Sequence, residues 1–250
     1  MSFVTLGAIM TTIALKLKTV QARINAACQA AGRSSDSVIL LSVSKTFGAE
    51  AVAQAHAAGQ IAFGENYIQE AVQKITQLRH LPLQWHCIGP IQSNKTRLVA
   101  EHFDWVHTVD RLKVAQRLSE QRPATMAPLQ VCIQVNVDGG VTKSGVAPAD
   151  ALALAQLVAA LPNLRLRGIM CIPEPAINFI AECALFACGK AVFDALNVAG
   201  LGLDTLSMGM SADLEAAIHE GSTMVRVGSA IFGGRSYVKA AEDVAPAPQA

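Results

Sequence analysis

Residues 38–63 read VILLSVSKTFGAEAVAQAHAAGQIAF. A run of β-branched and aliphatic residues over 38–43 predicts a strand, since such side chains suit a pleated, buried surface. Ser44-Lys45-Thr46 then breaks the run, and an alanine-rich stretch over 50–58 predicts a helix stopped by Gly59. A second short apolar run at 61–63 predicts the next strand. Strand, helix, strand is the unit of α/β proteins.

The same rhythm continues outward to the C-terminus. Strands are predicted at 83–88, 105–109, 129–137, 166–172, 205–207 and 224–227, which makes eight with the first two. Helices are predicted between them at 67–78, 94–101, 111–121, 148–161, 178–199 and 212–220, with Asn94 as an N-cap and Gly200 and Gly221 as stops. Eight strand–helix repeats predict a closed (β/α)8 TIM-like barrel, although periodicity alone does not separate it from an open doubly wound sheet. Upstream, Ile13, Leu17, Val20, Ile24, Ala27 and Ala31 recur at spacings of three and four, giving an extra N-terminal helix that ends at Gly32. The expected division is an N-terminal extension over 1–11, with Met10 an equally good start, one barrel over 12–240 and a flexible tail over 241–250.

Composition limits the function. Of the 250 residues, 52% are hydrophobic and 16% charged, enough to fill a large core. Twenty basic against nineteen acidic residues, with no block of one sign, lack the footprint of a nucleic-acid binder. A small-molecule partner is favoured and a monomer expected. The longest apolar run, 151–161, is too short to span a bilayer, and the apolar start has no basic residue before it, so the expected location is the cytoplasm. The six cysteines show no CxxC pairing and read as buried free thiols, with no metal site expected.

In a parallel barrel, chemistry collects after the carboxyl ends of the strands. Lys45 follows the first. At an apolar mouth its amine would be partly desolvated, which lowers its pKa toward the neutral form that attacks an aldehyde, although a lysine snorkelling to solvent is the plainer reading. Gly64-Glu65-Asn66 and the segment 88–95 mix glycine with amides, as turns and caps do. His86 reads as a satisfied core histidine. Loops after strands seven and eight form the recurring phosphate site of barrels, and here they carry Ser207, Ser211, Gly228 and Ser229. Ser211 also reads as a helix cap, and Asp213 beside it would oppose an anion. The stretch 139–144, GGVTKS, fails as a P-loop because Thr142 stands before the lysine. Lys95 and Lys143 read as solvated loop lysines on the same rim.

Together, LLSVSKT, FGENYIQE, WHCIGPIQSNK, VTKSG, LRGIMCIP, LSMGMSADLEAAI and GSTMVRVGSAIFGGR, in this order, resemble the pyridoxal-phosphate (PLP) homeostasis proteins, related to the N-terminal barrel of alanine racemase. The likeness runs from about Thr12 to Arg235. It implies a fold type III PLP protein with Lys45 forming the Schiff base and Arg226 facing the pyridine nitrogen. It further implies Gly228, Ser229, Ser207 and Ser211 around the phosphate and Asn66 beside the ring. Two places depart from the family pattern. Phe47-Gly48 stands where a second lysine and a proline are usual, which makes Lys143 the better candidate for handing over cofactor, and 174–189 is atypical in detail.

An arginine beside the pyridine nitrogen has no acceptor to offer and leaves the ring a poor electron sink. Racemases of this class add a tyrosine from a further β-rich domain; this chain's tyrosines are Tyr67 and Tyr237, and no such extension is expected. The reading is therefore a carrier that holds PLP and passes it to apo PLP enzymes, with no catalytic residue assigned. The alternatives are a weak racemase or transaminase, and more remotely a barrel that binds another phosphorylated metabolite through an aldolase-type imine on Lys45.

Overall fold

The computed structural model describes residues 3–140 and 143–233. Eight parallel strands close into a barrel in sequence order: β1 Ile39–Val43, β2 Ala62–Glu65, β3 Gln84–Cys87, β4 Trp105–Val109, β5 Leu129–Gln134, β6 Leu164–Met170, β7 Thr205–Ser207 and β8 Met224–Val227. The helices are α1 Phe3–Ala30, α2 Ala49–Ala57, α3 Ile68–Gln77, α4 Thr96–His102, α5 Leu112–Gln121, α6 Ala151–Ala159, α7 Phe179–Val198, α8 Leu214–His219 and α9 Ser229–Phe232. Closure comes from β1 pairing with β8, with Leu41 opposite Arg226, so the open-sheet alternative is excluded. Helix α1 is already under way at Phe3 and packs on α8, α9 and α2. The tail over 241–250, Arg235 and Tyr237 lie outside the described residues.

The strands are buried on both faces because side chains alternate in and out. Outward residues such as Leu40, Phe63, Val106, Val131, Ile169, Leu206 and Val225 join the helices in one large core. Each large aliphatic or aromatic side chain fully buried there contributes roughly 1.5–3 kcal/mol. Inward residues form two small apolar groups: Leu41, Ala62 and Met224 with Ile88, and Trp105, Cys132 and Met170. The rest of the barrel interior is polar, which sets up the site described below.

Several expected boundaries move. Residues 93–95 form a 3-10 turn, and α4 starts at Thr96 with no side-chain cap, so Asn94 is not its N-cap. Strand β5 stops at Gln134 because the chain turns out and back: Asn136 N–H donates to Val146 O, and Val146 N–H to Gln134 O, both at 2.9 Å. Ser211 does not cap α8; Asp213 turns back instead and accepts from Met210 N–H at 2.5 Å. Four cysteines are buried, as expected, but Cys183 is half-buried and Cys188 exposed.

Gly168 in β6 shows how closely the ladder is packed. A Cβ there would lie 1.6 Å from Thr205 O of β7, a backbone atom with nowhere to move. Gly168→Ala is expected to lower stability by about 3 kcal/mol or more. Urea unfolding of the two proteins measures it, and a loss under about 1 kcal/mol would mean that β6 and β7 separate cheaply.

Candidate functional site

At the carboxyl ends of β2 to β6 lies a cleft of about 230 Å3, lined by Asn66, Ile88, Thr108, Gln134, Asn136 and Lys143 among others. Lys45 follows the adjoining strand β1 by two residues and is half-buried. On the other side of β1, Gly228 presses so close to Val43 that a Cβ would meet Val43 O at 3.1 Å. Backbones at Asn66 and Gly89 also nearly touch; a Cβ on Gly89 would lie 2.2 Å from Asn66 O. Small residues therefore let the loops after β1, β2, β3 and β8 converge around the opening.

The loop that carries Lys45 is fixed by a buried ammonium. Lys74 of α3, 4% exposed, donates to Ser44 O at 2.8 Å and to Glu65 Oε1 at 2.7 Å, and pairs with Glu70 at 2.6 Å. Ser44 Oγ donates to the same Glu65 oxygen at 2.6 Å, and Thr46 N–H to Glu70 Oε1 at 2.7 Å. Both neighbours of Lys45 are thus tied to one charge cluster. Thr46 needs the tie, because its φ of 69° is unfavourable for a β-branched residue and costs about 1–3 kcal/mol. Burial pushes the Glu65 carboxyl up, against the pull of Lys74 and Ser44, and its Oε2 is buried without a hydrogen-bond partner.

A second polar chain runs down the barrel axis. Arg226, 4% exposed, donates through Nη1 to Ser207 O and Oγ at 2.7 and 2.8 Å, and through Nη2 to Cys171 O at 2.9 Å. Ser207 Oγ lies 3.0 Å from His107 Nδ1; His107 Nε2 lies 2.9 Å from His86 Nδ1; His86 Nε2 lies 3.0 Å from Gln84 Oε1. Arginine only donates, so the Ser207 hydroxyl hydrogen is free to point to His107, and every later hydrogen then points the same way. Gln84 ends the chain at a second cleft of about 550 Å3 around the amino ends of the strands. Stacking fixes the histidine end: the His86 and Trp105 rings lie 5.2 Å apart at 8°, and Arg167 sits 4.8 Å from the Trp105 ring centre.

This wiring keeps both histidines neutral. Burial pushes His86 down to about 3. His107 is lowered by burial first, then by His86 and Arg226. Arg226 itself is pulled down by burial, yet as a guanidinium it stays charged. Among the described residues no carboxylate pairs with it, so a cation sits inside the barrel with only neutral acceptors. Such a charge favours an anionic or electron-rich guest over a cationic one.

The structure brings together some of the expected site residues and not others. Asn66 lines the cleft, and Lys45 and Gly228 follow the carboxyl ends of β1 and β8. Ser211 and Ser229 meet each other, Oγ to Oγ at 3.3 Å. Ser207 is fully buried and engaged with Arg226 and His107, away from that pair. Lys143 is not a solvated loop lysine: it bonds Asp138 at 2.7 Å, Glu174 at 3.0 Å and Ile172 O at 3.0 Å, joining the loops after β5 and β6. Burial opposes its charge, but the two carboxylates hold its pKa above the ordinary lysine value. Glu65, Glu70, Lys74, His107, Thr108, Gln134 and Asn136 escaped the sequence reading. A signal existed for two of them. Gln84 with His86, and Trp105 with His107, stand two apart in strands and so share a face, while Lys74 continues the buried three-residue spacing of Ile68 and Ala71.

Two outcomes follow from these networks. Lys74→Met leaves two carboxylates facing each other without their cation and is expected to cost about 3–5 kcal/mol, with Glu65→Gln added on top recovering part of it in urea unfolding. The histidines make stability depend on acid. With His86 at about 3 when folded and at the ordinary 6.5 when unfolded, unfolding takes up a proton between those values. Stability therefore falls as pH drops through that window, by up to about 1.4 kcal/mol per pH unit for this group. Unfolding midpoints at a series of pH values should show a shallower slope in His86→Gln, and an unchanged slope would refute the assignment.

Comparison with known proteins places this geometry. The family model of the alanine racemase N-terminal domain matches residues 15–236. A pyridoxal phosphate homeostasis protein of Pseudomonas aeruginosa is 62% identical over 228 residues, 91% of this chain and 98% of that protein. Its namesake in Escherichia coli is 51% identical over 233 residues, 92% and 100% of the two chains. Among solved structures, PipY of Synechococcus elongatus with PLP bound is 36% identical, with a TM-score of 0.77 over 88% of this chain and 100% of that one. An alanine racemase of Clostridium difficile, 16% identical with a TM-score of 0.69, covers 90% of this chain and 57% of its own and shares the barrel alone. The chain belongs to the pyridoxal phosphate homeostasis protein family, built on the N-terminal barrel of alanine racemase.

Proposed function

We propose that this protein binds PLP at the barrel mouth and serves as a carrier that takes part in vitamin B6 homeostasis in the cytoplasm, releasing its cargo to apo PLP enzymes. Bound there, the cofactor supplies an aldehyde able to condense with an amine and a ring able to draw electrons. The residues fit such a guest. Among the described residues Arg226 is a buried cation with no carboxylate partner, and Asn66 Oδ1 is buried at the cleft with no hydrogen-bond partner. Lys45 supplies the amine, on a loop that Lys74 keeps in place. Ser211 and Ser229, whose hydroxyls now meet each other, would hold the phosphate together with the Gly228 backbone, and Asn66 would lie beside the ring. Arg226, held by Ser207 and the Cys171 carbonyl, would face the pyridine nitrogen.

One observation favours carrier over enzyme. Among the described residues that line the cleft, the single titratable one is Lys143, and its ammonium is locked between Asp138 and Glu174. Racemisation needs a second group that accepts a proton, and a protonated, paired lysine has no site for one. His86 and His107 spend their nitrogens on the axial chain. Tyr67, the one tyrosine among the described residues, is half-exposed at the start of α3. The names carried by relatives at 62% and 51% identity agree with this reading.

Adding PLP to the purified protein, reducing with borohydride and mapping the adduct by mass spectrometry is expected to find the cofactor on Lys45. Lys45→Ala should abolish the adduct, and modification of another lysine in its place would overturn the assignment. Loaded protein should exchange the α-hydrogen of alanine for deuterium no faster than PLP in buffer. Rapid exchange would favour the racemase-type reading.

A further inference from the structure

Helices α7 and α8 lie side by side on the outside of the barrel. Where they meet, Cys183 Sγ lies 3.9 Å from His219 Nδ1, and that nitrogen lies 2.8 Å from Glu220 Oε1. The thiol, imidazole and carboxylate ligand atoms all fall within 4.8 Å of one another. Cysteine pairing patterns do not reveal such a group, because Cys183 stands 36 residues before His219 and no CxxC or HxxxH spacing is involved.

We propose that Cys183, His219 and Glu220 form a binding site for a zinc-class divalent ion. Zinc with bonds of about 2.0 Å to nitrogen and oxygen and about 2.3 Å to sulfur places tetrahedral ligands roughly 3.3–3.5 Å apart. The separations of 2.8 and 3.9 Å lie on either side of that range and all three atoms fall within 4.8 Å, so seating an ion asks the side chains to rotate toward it. Thiolate, imidazole and carboxylate together select zinc, or cobalt as its spectroscopic stand-in, over magnesium or calcium, which prefer oxygen alone. Three protein ligands leave the fourth position for water.

The site is held from two sides. The Phe179 ring packs edge-on against His219, centroids 5.8 Å apart at 76°, which restrains the imidazole. Glu220 is the C-cap of α8, its N–H bonded to Ala216 O, so the carboxylate starts from a fixed backbone. Burial, Glu220 and then Glu182 push the Cys183 thiol up, so the negative charge beside it favours a cation over a bare thiolate. Binding exchanges a proton for metal. The Cys183 thiol gives its proton to solvent as the sulfur–metal bond forms, and His219 binds through a bare Nδ1 with its hydrogen on Nε2. No electrons change hands.

The test uses the full chain after treatment with a chelator, titrated with cobalt(II) and then zinc(II). Expected are one equivalent bound, a thiolate-to-cobalt charge-transfer band in the near ultraviolet, and loss of that band when zinc displaces cobalt. Cys183→Ser should abolish the band, His219→Ala should weaken zinc binding by on the order of a hundredfold, and Cys188→Ser, five residues along the same helix, should leave both unchanged. Circular dichroism of each metal-free variant checks that the fold persists, and Glu220→Gln, with its near-identical shape, provides a second variant in case Cys183→Ser unfolds. A band absent from the parent protein, retained in Cys183→Ser, or lost with Cys188→Ser overturns the proposal.

Discussion

A single guanidinium, that of Arg226, is placed in the middle of a barrel whose interior is otherwise expected to hold aliphatic layers. Its charge cannot be shed, so the surrounding strands must supply acceptors. β7 offers the Ser207 carbonyl and hydroxyl, and the chain just after β6 offers the Cys171 carbonyl. From Ser207 the obligation passes to His107 on β4 and to His86 and Gln84 on β3. One buried charge thereby dictates polar residues on four other strands or their ends, and it accounts for an interior that would otherwise look poorly chosen.

A second charge performs a different task. Lys74 stands outside the barrel wall, under the first turn of the mouth, and gathers Glu65, Glu70 and the Ser44 carbonyl around it. Its effect is conformational. Thr46 is kept in a left-handed backbone geometry that a free loop would abandon, and the reactive-looking lysine before it is delivered from a rigid support. Where a second lysine is usual two residues on, this chain has Phe47, which packs on Phe232 of α9 with ring centres 5.2 Å apart. The loop after β1 is therefore tied to the end of β8 by an aromatic contact as well as by the sheet.

The fold was legible because its signal is collective. Eight apolar runs separated by helical stretches survive errors of two or three residues at any boundary, such as the early end of β5 or the late start of α4. The ends of the strands were legible for a related reason: Lys45, Asn66, Gly228 and Ser229 follow strands, and position there is itself informative. What escaped were pairings across sequence. Nothing in the local pattern around Lys74 announces that it will meet Glu65, nine residues earlier, beneath a loop thirty residues back. Ser207 likewise reads as a phosphate-site hydroxyl until His107, a hundred residues away, is placed against it. Lys143 changed character for the same reason, since Glu174 comes from a different loop.

The axial chain of hydrogens also has a direction. Because it begins at a group that can only give and ends at an amide oxygen that receives, all its hydrogens face the floor of the barrel. An acid arriving from that side meets the Gln84 amide oxygen, while the accepting nitrogens of His86 and His107 behind it are already taken up. Protonating either imidazole therefore requires breaking one of the bonds that it accepts.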